Sequence, residues 1–199
     1  MTMNAAQMKF REHAIDAIVI GGSAGVLDVL RVILAALPAT LRIPVAVVVH
    51  VPARTHMSIY QSLQSVTGLP MRQADDKEPL QGGTIYFASP GYHLLIEANR
   101  SAAHSLDEPV YYSRPSIDVL FETASEVYKR RLLGILLTGA SPDGAQGLHS
   151  IHSAGGMTIV QDPDTCEADI MPRSALALFS PDFVLAPSAM ATLLSTLSS

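Results

Sequence analysis

Ile18-Val19-Ile20-Gly21-Gly22-Ser23-Ala24-Gly25 is an apolar run that ends in small residues around one hydroxyl, directly before a segment with helical periodicity. A short, β-branched run predicts a buried parallel strand, and Gly-x-Ser-x-Gly at its end is typical of a nucleophile elbow. The same small residues also occur where a backbone approaches a phosphate or where a helix packs closely on a sheet. The stretch therefore predicts a strand–turn–helix unit and leaves the role of Ser23 open.

Apolar runs and helical patterns alternate along the rest of the chain. Strands are predicted at 14–20, 45–49, 132–137, 157–160 and 183–185, and helices at 26–37, 57–66, from Ser113 or Ser116 to 129, after Gly144 to 154, and at 173–179. Between Thr84 and Leu106, two or three short strands follow one another without room for helices. This rhythm predicts an α/β fold: a doubly wound, mostly parallel sheet with helices on both faces and an antiparallel hairpin at one edge.

Composition narrows the class of protein. The chain has 199 residues, of which 48% are hydrophobic, and a formal net charge of -5, so we expect one compact domain over 15–199 after an extension at 1–14. The acidic balance argues against nucleic acid as a partner. Cys166 is the only cysteine, and no apolar run has the length of a membrane span or of a signal core. We therefore expect a cytoplasmic protein without disulfides or direct membrane insertion.

Three polar residues, Ser23, His50 and Asp143, follow three separate predicted strands. In open α/β sheets the reacting groups lie in the crevice at the carboxyl ends of the strands, so these side chains are expected to meet. A hydroxyl, an imidazole that takes its proton and a carboxylate that orients the imidazole are what acyl transfer requires. The order Ser, His, Asp differs from the order Ser, Asp, His of α/β-hydrolases.

Each of these residues also has an ordinary structural interpretation. Ser23 and Asp143 both precede helices and are suited to be helix N-caps, and His50 is one of seven histidines. His149 and His152 are three residues apart on a helix, but no acidic or cysteine partner completes a metal site, so a solvated surface is expected for them.

Motifs spread along the chain resemble those of the catalytic domain of the chemotaxis methylesterases, the protein-glutamate methylesterase/glutaminases. The resemblance extends from about Ile15 to Leu197. It is carried by the segments 20–25 (Ile-Gly-Gly-Ser-Ala-Gly), 50–52 (His-Val-Pro), 86–93 (Tyr-Phe-Ala-Ser-Pro-Gly-Tyr-His), 114–121 (Arg-Pro-Ser-Ile-Asp-Val-Leu-Phe), 137–139 (Leu-Thr-Gly), 143–145 (Asp-Gly-Ala) and 171–173 (Met-Pro-Arg). Several ordered motifs are far more specific than one elbow.

The resemblance implies hydrolysis of glutamate methyl esters on the cytoplasmic helices of chemoreceptors, with release of methanol, and deamidation of glutamines at such sites. It places the nucleophile at Ser23, the general base at His50 and the orienting carboxylate at Asp143. Backbone amides near Ala24 and Ala140 would stabilise the oxyanion. Arg114 and Met171 would line or support the cleft, with a purely structural role as the alternative for Arg114. No metal and no organic cofactor is implied.

Some positions depart from the family pattern. The family usually has glycine where Val26, Ser141 and Ile170 stand, and methionine where Ala140 stands. We therefore expect the loops around Ser23 and Asp143 to be shaped differently. Family members commonly carry a regulatory receiver domain ahead of the catalytic domain, whereas about fourteen residues precede the first strand here. The expectation is constitutive activity or control by a separate receiver protein.

Two other functions remain open at this point. One is a carboxylester hydrolase that acts on another substrate, because the altered loops would change the fit of the substrate. The other is a non-catalytic module that only docks a helix. A nucleotide-binding glycine turn is disfavoured, since the full Gly-x-Gly-x-x-Gly fingerprint is not evident.

Overall fold

Seven parallel strands form the central sheet of the protein. The structure is a computed structural model that describes residues 5–50 and 62–197. The sheet order is β3-β4-β2-β1-β7-β8-β9, with β1 at Ala17–Gly22, β2 at Val45–Val49, β3 at Met71–Gln73, β4 at Ile85–Phe87, β7 at Leu132–Leu136, β8 at Met157–Gln161 and β9 at Phe183–Leu185. The predicted doubly wound α/β fold is confirmed.

Helices cover both faces of this sheet because alternate strand residues point to opposite sides. Ile18 and Ile20 of β1 belong to one core cluster, and Ala17 and Val19 belong to the other. The first face carries α1 (Ala5–Glu12), α2 (Val26–Ala35) and α6 (Pro187–Leu194), and the second carries α3 (Ile117–Tyr128), α4 (Ala145–Ser153) and α5 (Ile170–Leu178). Most of the predicted helix 57–66 lies outside the described residues.

The antiparallel hairpin is present, but it does not extend the main sheet. It consists of β5 (His93–Ile96) and β6 (Ala102–Ser105) and forms a sheet of its own. It packs against α3, where the hydroxyl of Thr123 accepts a hydrogen bond from the N–H of Ile96 at 3.1 Å. The edge beside β4 is taken by β3, a strand that was not predicted, so β4 is a parallel strand rather than part of the insertion.

The strand order changes direction at β1, which lies between β2 and β7. The chain builds one half of the sheet through β2 and the other through β7, so the carboxyl ends of these three strands border a topological switch point. Ser23 follows β1, His50 follows β2, and Asp143 lies on the loop between β7 and α4. The fold therefore brings the three predicted site residues to one edge of the sheet.

A glycine in α4 allows close packing against α3. A Cβ placed on Gly147 would lie 2.6 Å from Cβ of Phe121 and 2.9 Å from the carbonyl oxygen of Asp118. Replacing an unconstrained helical glycine by alanine stabilises a protein by about 1 kcal/mol, but overpacking destabilises it by about 1–3 kcal/mol. We expect Gly147→Ala to lower the free energy of unfolding in urea by up to about 2 kcal/mol.

The matched control is Gly68→Ala, where the new Cβ would meet only Cβ of Ala39 at 3.4 Å. Its effect should stay below about 0.5 kcal/mol, as for most exposed substitutions. A stabilised Gly147→Ala protein would contradict the close contact between α3 and α4.

Candidate active site

Ser23 lies on the turn between β1 and α2, with its backbone fixed and its hydroxyl unused. Its N–H donates to the carbonyl of Thr138 at 2.9 Å. The N-cap of α2 is Gly25, at φ 75°, where no side chain caps the helix. Ser23 is therefore not the helix cap, and its Oγ makes no hydrogen bond to any described residue.

The hydroxyl of Ser23 borders an open cleft of about 360 Å³. The cleft is also lined by Ala24, His50 and Glu167, and by Asp28 and Arg31 of α2, whose side chains form an exposed ion pair at 3.0 Å. Glu167 lies directly over the turn, because a Cβ on Gly25 would come within 2.8 Å of its Oε2. The cleft thus combines a free hydroxyl and an imidazole with charged walls.

Asp143 is completely buried and accepts hydrogen bonds at the N-terminus of α3. Oδ1 accepts from the hydroxyl of Ser116 at 2.8 Å and from the N–H of Asp118 at 3.0 Å, and Oδ2 accepts from the N–H of Ile117 at 2.8 Å. Burial on its own would raise the pKa of Asp143, but the contact with His50 and the two amides outweigh it and hold this pKa below its usual value. Asp143 is therefore a carboxylate and not the cap of its own helix.

Asp118 makes the reciprocal contact at the N-terminus of α4. Its Oδ1 accepts from the N–H of Gly144 at 2.9 Å and from the N–H of Gly147 at 2.7 Å. Each helix N-terminus thus binds a carboxylate supplied by the other, and both positive helix ends are satisfied. Because Gly144 follows Asp143 directly, Asp118 also fixes the backbone that carries the candidate triad carboxylate.

The imidazole of His50 lies between Asp143 and Ser113. Its Nε2 is 2.8 Å from Oδ2 of Asp143, close enough for an ion pair, although the N–H is not aligned as a hydrogen bond to any described residue. Its Nδ1 is 3.5 Å from the hydroxyl of Ser113, at the long limit of a hydrogen bond. The nitrogen that faces away from the carboxylate is therefore Nδ1.

Ser23 and His50 line the same cleft, but no hydrogen bond joins Ser23 Oγ to the imidazole. Nδ1 instead faces the hydroxyl of Ser113. Catalytic hydrogen bonds are often long or absent in free enzymes and tighten only when substrate binds, so this arrangement is compatible with a triad.

Gly139 allows the loop after β7 to approach Ser23. A Cβ placed on Gly139 would lie 2.6 Å from Cε of Met171 and 3.0 Å from Cβ of Ser23. Met171 is fully buried, and its N–H donates to the carbonyl of Gly139 at 2.9 Å. Its side chain and backbone therefore both hold this loop in place. The backbone N–H groups of Ala24 and Ala140 make no hydrogen bond to a described residue.

Arg114 binds backbone beside the site rather than lining the cleft. Its Nη1 donates to the carbonyls of Leu106 at 2.9 Å and Asp107 at 3.0 Å, which favours the structural alternative. Val26, one of the departures from the family pattern, is buried, and its Cγ2 would lie 2.3 Å from a Cβ on Gly22. Its side chain packs beneath the serine turn.

Four residues shape the site although no site role was assigned to them from the sequence. Asp118 and Ser116 bind the region of Asp143, and Ser113 contacts His50. His93 is buried, with Nδ1 accepting from the N–H of Ser116 at 3.1 Å and Nε2 3.1 Å from the carbonyl of Glu108. Two signals in the sequence pointed to them: Ser113, Ser116 and Asp118 stand directly before or at the start of a predicted helix, and His93, Ser116 and Asp118 lie within the family motifs 86–93 and 114–121.

The other histidines that the sequence analysis considered are elsewhere. The rings of His149 and His152 pack against Phe179, with centroids 5.4 and 4.9 Å away. Within residues 5–50 and 62–197, no three His, Cys, Asp or Glu side chains are grouped as metal ligands.

Comparison with known proteins identifies the family. The profile of the CheB methylesterase family matches residues 18–194. The chain belongs to this family. A putative protein-glutamate methylesterase/protein-glutamine glutaminase of Leptospira interrogans is 48% identical over 170 residues, which are 85% of this chain and 88% of that protein.

Two further matches are a longer relative and a solved structure. The protein-glutamate methylesterase/protein-glutamine glutaminase of Symbiobacterium thermophilum is 38% identical over 161 residues, which cover 81% of this chain and 44% of that protein. The crystal structure of the Thermotoga maritima CheB methylesterase catalytic domain superposes with a TM-score of 0.88 and 29% identity, over 93% of this chain and all of that one. The chain therefore has the fold of a CheB catalytic domain.

Asp118 gives the stability of this CheB chain a testable pH dependence. Burial raises the pKa of Asp118 to about 7; the amide of Gly147 opposes this rise, and the negative charge of Asp143 adds to it. Between the unfolded value of 3.8 and about 7, the folded protein holds a proton that the unfolded chain has released. The contribution of Asp118 to stability therefore falls as the pH rises from about 4 to about 7, and is constant above.

Asp118→Asn keeps the oxygen that accepts from Gly144 and Gly147 but removes the titration. Measured by urea unfolding, the stability of the wild type relative to this variant should fall by up to about 2–3 kcal/mol between pH 5 and pH 7, since one pKa unit corresponds to about 1.4 kcal/mol. Asp164→Asn, at an exposed carboxylate, should leave the pH dependence unchanged. Parallel curves for wild type and Asp118→Asn would mean that Asp118 is ionised throughout.

Proposed function

We propose that this chain is a serine hydrolase that removes methyl esters from glutamate side chains in the cytoplasmic helical region of chemoreceptors, and deamidates glutamines at such positions. The observation that carries the proposal is the contact of His50 with the buried carboxylate of Asp143, in a cleft that also exposes the unused hydroxyl of Ser23. The names of its relatives, protein-glutamate methylesterase and protein-glutamine glutaminase, supply the substrate class.

In the proposed first step, Oγ of Ser23 attacks the ester carbonyl carbon and His50 takes the hydroxyl proton. The side of the imidazole that faces Asp143 is Nε2, so the proton goes to Nδ1, and the carboxylate stabilises the imidazolium. The carbonyl oxygen becomes an oxyanion that accepts hydrogen bonds from the N–H groups of Ala24 and Ala140. Their freedom from other described partners supports this role.

The tetrahedral intermediate collapses when the bond between the carbonyl carbon and the methoxy oxygen breaks. His50 returns its proton to that oxygen, methanol leaves, and a glutamyl ester of Ser23 remains. A water molecule then gives a proton to His50 and attacks this ester, which releases glutamate and restores the serine. With glutamine the first leaving group is ammonia. No step needs a metal or an organic cofactor.

Met171 and Arg114 have supporting roles in this proposal. Met171 holds Gly139, and with it the loop that leads to Ala140, against Ser23. Arg114 follows Ser113, which contacts His50, and its side chain anchors this segment to the carbonyls of Leu106 and Asp107.

Every helix within residues 5–50 and 62–197 is too short or too polar to cross a bilayer. We propose that the protein acts on receptors from the cytoplasm.

Ser23→Ala tests the nucleophile. Incubated with receptor that carries labelled methyl groups, the wild type should release labelled methanol and the variant should release none above the background, because the attacking oxygen is gone. Thr165→Ala, which removes a hydroxyl outside the cleft, is the matched control and should retain the wild-type rate. Equal release by wild type and Ser23→Ala would refute the mechanism.

Asp143→Asn tests the carboxylate. The loss in kcat should be about 10⁴, because an amide no longer holds the imidazole in the required tautomer. Circular dichroism should show the same fold.

A second experiment tests the substrate. If the wild type hydrolysed a small ester but released nothing from methylated receptor, a carboxylester hydrolase with another substrate would be favoured.

A further inference from the structure

Two adjacent tyrosines occupy a turn that normally excludes such residues. Val110 and Ser113 exchange two backbone hydrogen bonds, at 3.1 and 2.8 Å, and enclose Tyr111 and Tyr112 at φ 46° and 63°. Positive φ at both central positions defines a type I′ turn, which favours Asn-Gly. A bulky residue in the left-handed region is a genuine outlier. We call residues 110–113 the tyrosine turn.

The side chains of the tyrosine turn do not compensate for this backbone strain by burial. Tyr111 is 53% exposed and Tyr112 is fully exposed, and neither ring makes a hydrogen bond or a ring contact with a described residue. A structural role within the described part of the chain would require such contacts. Backbone strain that no packing contact or hydrogen bond compensates is typical of functional sites.

The tyrosine turn is attached directly to the candidate active site. The hydroxyl of Ser113, its last residue, lies 3.5 Å from Nδ1 of His50. The next residue, Arg114, holds the backbone carbonyls of Leu106 and Asp107, so the turn is fixed against the neighbouring loop. The tyrosine turn therefore lies on the Nδ1 side of His50, next to a residue that lines the cleft.

We propose that the tyrosine turn is a docking surface for the polypeptide that carries the glutamyl ester, and that it binds the apolar face of an amphipathic helix next to the reacting side chain. The inference rests on the proposed function, because a protein substrate must lie across the rim when one of its side chains enters the cleft. Tyrosine suits such a surface, since it offers a large apolar ring with a polar tip at a small entropy cost. Anchoring residues of this type contribute strongly to protein recognition.

Tyr111→Asn combined with Tyr112→Gly tests the docking surface without disrupting the turn. Asn-Gly is the preferred sequence for type I′ geometry, so the variant should melt at the same temperature as the wild type or higher. With methylated receptor, KM should rise about 5–20-fold and kcat should change less than twofold. Hydrolysis of a small ester such as p-nitrophenyl acetate should change less than twofold as well.

Leu178→Asn is the control, because Leu178 is a half-exposed apolar residue at the far end of α5. It should leave KM for the receptor unchanged. An unchanged KM in the Asn-Gly variant would overturn the docking surface, and so would a variant that altered only the oligomeric state of the protein in sedimentation. If wild type itself released no methanol from receptor, the proposed function would fail, and this inference would fail with it.

Discussion

The site depends on an exchange of carboxylates between two helix N-termini. Asp143 accepts from the amides that begin α3, and Asp118 accepts from the amides that begin α4. Burying either carboxylate alone would be costly, because a desolvated charge needs full compensation. Here the N–H groups at the start of α3 and the contact with His50 supply it for Asp143, whereas the amides of α4 compensate Asp118 only in part, so that its pKa stays raised. The exchange also fixes the distance between the two helices, since neither can move without leaving both a carboxylate and its amides unpaired.

The close approach of the helices is possible only because small residues lie where they meet. Gly147 brings α4 onto Phe121, and Gly144, at φ 96°, leaves no room for a side chain next to Ile117. The same loop that delivers Asp143 therefore has to end in a residue without a Cβ. The glycines allow the two helices to approach closely, and the carboxyl groups of Asp143 and Asp118 bind the helix N-termini. The position of Asp143 is therefore fixed without a bound substrate.

The sequence predicted the parts of this arrangement that depend on local patterns. β2 at Val45–Val49 and β9 at Phe183–Leu185 have the predicted bounds, because consecutive apolar residues leave little freedom in a buried parallel strand. The sequence likewise placed Ser23, His50 and Asp143 after three separate predicted strands. The three-residue β3 was missed because its Arg72 is exposed and its pattern too short. The role of Asp118 was missed because its partners are 26 and 29 residues away in the chain.

His50 has two neighbours of opposite character. Asp143, on the side of Nε2, is buried and held by three hydrogen bonds, whereas Ser113, on the side of Nδ1, belongs to an exposed turn and makes one long contact. The proposed role of His50 as general base requires this asymmetry, since one nitrogen must stay paired while the other exchanges its partner during the reaction. An aligned, short bond from Ser113 would compete with Ser23, the proposed nucleophile, for Nδ1. The weak contact leaves that nitrogen available, while the turn that carries Ser113 remains next to the imidazole.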